Sequence, residues 1–184
     1  MGIAEAGRER RHPVRHGECE TMVVLGIDPG LANTGFGVVV ARGSRLSAAD
    51  AGVIRTLPTA SPERRLAELH EGLSTLLDEH RPDAVALEAL YFGVNVRSAF
   101  AVGQARGVVL QCAGSRGIPC SDYTPQQVKS AVCGSGRAAK AQVAQMVASV
   151  LALGAPPSPD HAADALAVAV CHANWAPLAA AVLA

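Results

Sequence analysis

Two apolar runs in this chain each end on a carboxylate. Met22-Val23-Val24-Leu25-Gly26-Ile27 runs into Asp28, and Asp83-Ala84-Val85-Ala86-Leu87 runs into Glu88. The first reads as a strand buried on both faces, hence central in its sheet, and the second as another strand. If the two lie parallel and adjacent, both acids emerge at one sheet edge, where open α/β sheets bind ligands. Two carboxylates about 4 Å apart repel by roughly 4 kcal/mol at an effective dielectric of 20. One then protonates unless a cation sits between them. A third group of donors lies in Asp160-His161-Ala162-Ala163-Asp164. His161 and Asp164 are three apart and share a helix face, and the small alanines between them leave the approach open. Asp160 reads first as a cap that favours the helix dipole. Oxygen-rich ligands suit Mg²⁺ or Mn²⁺, and the imidazole tilts the preference toward Mn²⁺. Two such ions about 3.5–4 Å apart form the clamp used for in-line phosphoryl displacement. Phosphodiester hydrolysis is the natural reaction for this inventory.

The elements that must position these groups follow from periodicity and punctuation. Pro29-Gly30 breaks the first strand. Thr34 to Ala41 and residues 45–56 read as a second and third strand around a hairpin at Arg42-Gly43-Ser44, giving an antiparallel meander. Ser61-Pro62 opens a helix, with Ser61 as the N-cap and Pro62 in the first turn. Its apolar stripe is Leu66, Leu69, Leu73, Leu76 and Leu77, and it ends before Arg81-Pro82. The crossover through this helix makes the strand ending at Glu88 parallel to an earlier one. Residues 97–114 read as a helix with small residues suited to close packing, and Ile118 to Tyr123 as a short fifth strand. Helices follow from Thr124-Pro125 and from Ala138 to Leu153, interrupted at Gly134-Ser135-Gly136; a Pro-rich linker precedes a last helix from Asp160 to about Trp175. The expected fold is α/β, a mixed five-stranded sheet flanked by helices. Residues 1–21 read as a flexible extension, 22–176 as the domain and 177–184 as a tail.

Composition narrows the class. With 184 residues the chain fits one domain with one core. Hydrophobic residues make up 49%, which excludes a wholly disordered chain. No apolar run reaches the roughly 20 residues of a membrane span, and the N-terminus lacks a signal-peptide core, so a cytoplasmic location is expected. Five scattered cysteines without a CxxC pair argue against a zinc site or a disulfide framework and read as small buried hydrophobes. The net charge of zero hides a gradient: Arg97 to Lys140 contains six basic residues and one acid, whereas the stretch from Pro62 to Glu88 is acid-rich. A neutral protein with a basic face can dock a polyanion.

Four ordered segments, LGIDPGLANTGFGVV, ALEALYFGVNVRSAFAVGQARGVV, YTPQQVKSAVCGSGRAAKAQV and DHAADALAVAV, resemble the RuvC family of Holliday junction resolvases over residues 22–175. The resemblance implies an RNase H-like fold, a homodimer and symmetric nicking of four-way DNA junctions, with a branch-migration motor complex as a possible further partner. Asp28, Glu88 and Asp164 match the family's acidic metal ligands. The remaining ligand position is Asp in many members and His161 here, which leaves metal ligand and general base both open. Tyr91 matches an aromatic that stacks on a junction base, against the alternative of a packing aromatic. Lys129 and Lys140 match lysines that contact phosphate, and Arg97 and Arg137 extend the DNA-binding set. Gln104, Arg106 and Gly107 lie in the segment expected at the dimer interface.

Three other readings compete. A nuclease of the same fold could act on structured RNA. Asp28-x-Gly30 with Thr34-Gly35 also resembles the phosphate loop of actin-like ATPases and sugar kinases, but that class needs two such domains and the chain is too short for both. A catalytically dead junction-binding module conflicts with the complete acidic set.

Overall fold

The computed structural model describes residues 21–89 and 96–183. Five strands, β1 (Thr21–Asp28), β2 (Asn33–Arg42), β3 (Arg45–Arg55), β4 (Ala84–Glu88) and β5 (Cys120–Tyr123), form one sheet in the order β3-β2-β1-β4-β5. The β1-β2-β3 meander is antiparallel, and β4 and β5 are parallel to β1. The expected mixed five-stranded sheet is therefore present, with β1 at its centre. The fifth strand is shorter than its sequence suggested, starting at Cys120 rather than Ile118.

The sheet is covered on both faces. Helices α1 (Pro62–His80) and α2 (Val96–Gly114) lie on one side, where Leu69, Leu73, Leu77 and Val109 pack against Leu25, Ile27, Val85 and Leu87. Helices α3 (Pro125–Cys133), α4 (Lys140–Val150) and α5 (Asp160–Leu183) cover the other, around Val24, Ala86, Val143, Val147 and Leu166. Strand alternation divides the core: Val24 of β1 and Ala86 of β4 face α5, whereas their neighbours Leu25 and Val85 face α1 and α2. Each fully buried Leu or Val contributes about 1.5–3 kcal/mol of transfer free energy.

Helix α5 lies unusually close to the sheet because three strand residues have no side chain. A Cβ on Gly26 would collide with the Ala165 carbonyl oxygen, one on Gly35 with the His161 carbonyl oxygen, and one on Gly37 with Leu166. The alanines of α5 complete the close approach. At the far end of β5, the Tyr123 hydroxyl lies 2.9 Å from His172 Nδ1 in a buried contact that ties α5 to the sheet edge. Burial holds the His172 ring below its ordinary pKa, so it is a neutral partner there.

Local signals were mostly realised. Thr124 accepts from the Gln127 backbone N–H while Gln127 Oε1 accepts from the Thr124 N–H, a capping box that fixes the start of α3. At α1 Ser61 is the N-cap, as expected, with Pro62 in the first turn, but its hydroxyl donates to Glu63 Oε1 instead of accepting from the helix backbone. Helix α5 extends to Leu183, through the segment read as a tail beyond Trp175. Of the cysteines, Cys112 and Cys171 are buried as expected, but Cys120 is exposed on the short edge strand.

Candidate active site

Register and alternation bring the carboxylates together. Ile27 pairs with Leu87 across the parallel β1-β4 ladder, so Asp28 and Glu88 are the next residues on adjacent strands. Both follow the parity of the residues that face α5. Opposite Asp28 on the other side, β2 presents Gly35, whose missing side chain admits the first turn of α5. That turn carries His161, and His161 Nδ1 lies 2.7 Å from Asp28 Oδ2. As a carboxylate Asp28 can only accept, so the proton sits on Nδ1 and the lone pair on Nε2 points away from it.

The loop after Asp28 is braced rather than free. Thr34, fully buried, donates its hydroxyl to the Gly30 carbonyl at 2.7 Å. Thr56 does the same to the Leu31 carbonyl at 2.6 Å and in turn accepts from Arg65 Nε at 2.9 Å. These bonds brace the turn after Asp28, and losing the buried Thr56 hydroxyl leaves the Leu31 carbonyl unsatisfied at about 1–3 kcal/mol.

Electrostatics record the crowding. Burial pushes Glu88 upward, and the charges of Asp28 and Asp164 push it further, to about 7. Asp28 is also raised by burial, offset in part by its hydrogen bond to His161. Asp164 accepts from Lys140 Nζ at 2.9 Å, and the same nitrogen lies 3.3 Å from Asp160. Those two acids keep the Lys140 ammonium above its ordinary pKa. Glu88, Lys129, Lys140 and Asp164 line a cleft of about 230 Å³ whose apolar wall includes Val128 and Val143.

The four donors inferred from sequence, Asp28, Glu88, His161 and Asp164, thus share one sheet edge. Among the described residues no three of them stand close enough to cage a cation as they are. Three of the four are engaged instead, His161 with Asp28 and Asp164 with Lys140. Both engagements are side-chain bonds of accessible groups, with His161 46% and Lys140 59% exposed. The chemistry of the set fits a hard divalent ion: three carboxylates and an imidazole lone pair, with Glu88 pushed up by burial and by the two neighbouring acids. An imidazole that donates one N–H to a carboxylate is also the usual posture of a metal-ligating histidine.

Other residues singled out from sequence are placed unevenly. Lys129 reaches the cleft from α3, and Arg137 is exposed on the α3-α4 connection. Tyr91 lies outside the described residues, and of Arg97 only the backbone, in the first turn of α2, is described. Gln104 is half-buried and Gly107 is exposed with open space before it. Arg106 is turned inward, donating to Asp122 Oδ2 at 2.6 Å and so pinning α2 to β5. Sequence reasoning missed the Lys140–Asp164 pair, because no local signal joins residues on two helices. It also missed Gly26, Gly35 and Gly37 as the seat of α5, although the run LGIDPGLANTGFG displays them.

Comparison with known proteins points to one family. Residues 24–172 match the family described as "Crossover junction endodeoxyribonuclease RuvC". A relative of that name from Thermomicrobium roseum is 52% identical over 154 residues, covering 84% of this chain and 94% of its own. One from Pelotomaculum thermopropionicum is 48% identical over 153 residues, with coverage of 83% and 93%. The solved structure of Thermus thermophilus RuvC in complex with a Holliday junction substrate superposes with a TM-score of 0.83 at 41% identity, covering 86% of this chain and 96% of that one. The yeast mitochondrial Holliday junction resolvase, at 16% identity and a TM-score of 0.64, shares the fold. The fold is RNase H-like, as its RuvC neighbours are. On a match that spans most of its length and on this identity, the chain belongs to the RuvC family of crossover junction endodeoxyribonucleases.

Proposed function

We propose that this protein is a structure-selective endonuclease that resolves four-way DNA junctions by metal-dependent phosphodiester hydrolysis. The observation that carries the reading is the convergence of Asp28, Glu88, His161 and Asp164 at one sheet edge beside a cleft lined by two lysines. Two divalent ions, Mg²⁺ or Mn²⁺, held by these four residues would supply an activated water and stabilise the leaving oxygen. Asp28 and His161 orient one another. His161 either ligates through Nε2 or accepts a proton there from the attacking water. Lys129 and Lys140 hold the scissile phosphate in the cleft, while Arg137, Arg97 and Tyr91 extend the contact to flanking DNA. The products are a 5′-phosphate and a 3′-hydroxyl.

The protein acts as a homodimer, whose two-fold axis sets two cuts on opposed strands. Supporting this, α2 exposes Phe100 and Leu110, with Gly103 and Gly107 between them on the same helix face and open space before both glycines. An apolar face with small residues at its centre lets a second helix approach closely. Gln104 and Gly107 lie within this segment; Arg106 supports it from behind through Asp122. A branch-migration motor is a further partner of the assembly. Among the described residues no helix is long and apolar enough to cross a membrane.

The test is cleavage of a synthetic four-way DNA junction against structured RNA and linear duplex, with Mg²⁺ and Mn²⁺ supplied separately. Paired nicks in the junction alone, lost on chelation, are expected. Preferential cleavage of RNA would instead assign the same fold to RNA processing.

A further inference from the structure

Lys140 sits between two carboxylates at the start of α5. Its Nζ donates to Asp164 Oδ2 at 2.9 Å and stands 3.3 Å from Asp160 Oδ2. The two acids are four positions apart, so they occupy one helix face a turn apart. Asp164 is the inner one, lining the cleft, and Asp160 the outer one, 82% exposed. Lys140 reaches both from the start of α4 on a flexible four-carbon stem.

An ammonium and a divalent ion cannot share one carboxylate oxygen at close range. Both need its lone pairs, and their charges repel. An ion that takes Asp164 Oδ2 therefore displaces Lys140. The displaced ammonium has a partner already within reach, because Asp160 is one helical turn outward and faces the same nitrogen. We infer that Lys140 is a resident counter-ion that neutralises Asp164 in the metal-free protein and is handed to Asp160 when a divalent ion binds. Asp160 is thus a positioning residue, which keeps the ammonium at the mouth of the cleft beside Lys129, where a phosphate would lie. Ion loading and arming of the phosphate contact become one event. The inference rests on the metal reading of the site and deepens it.

The experiment measures Mn²⁺ binding to the full chain without DNA, by calorimetry, in wild type, K140M, D160N and the double variant. K140M is expected to bind Mn²⁺ about three- to tenfold tighter, since the competitor is gone. D160N is expected to bind about two- to fivefold weaker in the native background and less than about twofold weaker in K140M. An equal effect of D160N in both backgrounds would overturn the hand-over and make Asp160 a ligand or a simple field source. A second readout follows the Lys140 ammonium by side-chain NMR in Mg²⁺-loaded protein. The signal should stay ordered in wild type and become as mobile as a solvated lysine in D160N; order in both overturns the proposal. Absence of Mn²⁺ binding in wild type removes the metal reading and the hand-over together, whereas binding without coupling removes the hand-over alone.

Discussion

Replacing Glu88 by Gln should make the metal-free protein more stable while abolishing cleavage. Glu88 is pushed from 4.5 to about 7 by burial and by the charges of Asp28 and Asp164. A carboxyl with a raised native pKa holds its proton longer in the folded than in the unfolded chain. Below about 4.5 it is neutral in both states and there is no penalty. As pH rises toward 7 the unfolded chain ionises first, and stability falls. Above 7 the full penalty applies. At about 1.4 kcal/mol for each tenfold change in the protonation equilibrium, it amounts to about 3 kcal/mol, and nearer 2 after solvent screening on the open side of the cleft. Gln keeps the shape and removes the charge, so at pH 8 without divalent ions E88Q should gain about 2–3 kcal/mol, or about 5–10 °C in melting temperature for a chain of this size. At pH 4.5 the gain should vanish. Added Mg²⁺ should narrow the gap at pH 8 by stabilising the wild type more than the variant, which lacks one proposed ligand. Urea denaturation across this pH range reads all three effects. A variant no more stable than wild type at pH 8, or equally stabilised at both pH values, would refute the claim that Glu88 sits in an uncompensated acidic cluster.

Further outcomes follow from the same geometry. Asp28→Asn should abolish junction cleavage yet keep junction binding in a gel-shift assay, because the phosphate contacts remain; normal cutting would remove Asp28 from the ligand set. His161→Asp should retain activity and shift the preference from Mn²⁺ toward Mg²⁺, compared at equal ion concentration, whereas an inactive variant assigns His161 the base role. Gly26→Ala places a Cβ against the Ala165 carbonyl oxygen, so α5 must lift from the sheet; a loss of at least about 3 kcal/mol by denaturation and a large fall in cleavage are expected.

Much of this molecule could be read in advance because its signals are local and repeated. The leucine stripe of α1, the capping box at Thr124 and the apolar run ending at Asp28 each specify an element from a few adjacent residues. Placing Asp28 and Glu88 side by side needed one more step, the crossover rule that makes β4 parallel to β1. The pairing of Lys140 with Asp164 escaped because it joins separate helices whose relative placement depends on the whole core around Val143, Val147 and Leu166. The seat of α5 escaped for a different reason. A strand glycine is ordinarily a bulge or a weak spot, and only the packed structure reveals that Gly26 and Gly35 are voids filled by a helix backbone. Arg106 belongs to the same class: a basic residue in the segment expected at a dimer interface that proves to be committed to Asp122 within its own chain.

The most direct measurement locates the ions. Crystals of the metal-free protein soaked in Mn²⁺ and recorded at a wavelength where manganese scatters anomalously should show peaks within about 2.3 Å of oxygens from Asp28, Glu88 and Asp164, with His161 Nε2 at similar range or one water away. Lys140 should then have left Asp164. Anomalous density elsewhere, or none near these side chains while Lys140 stays on Asp164, would contradict the account at its centre.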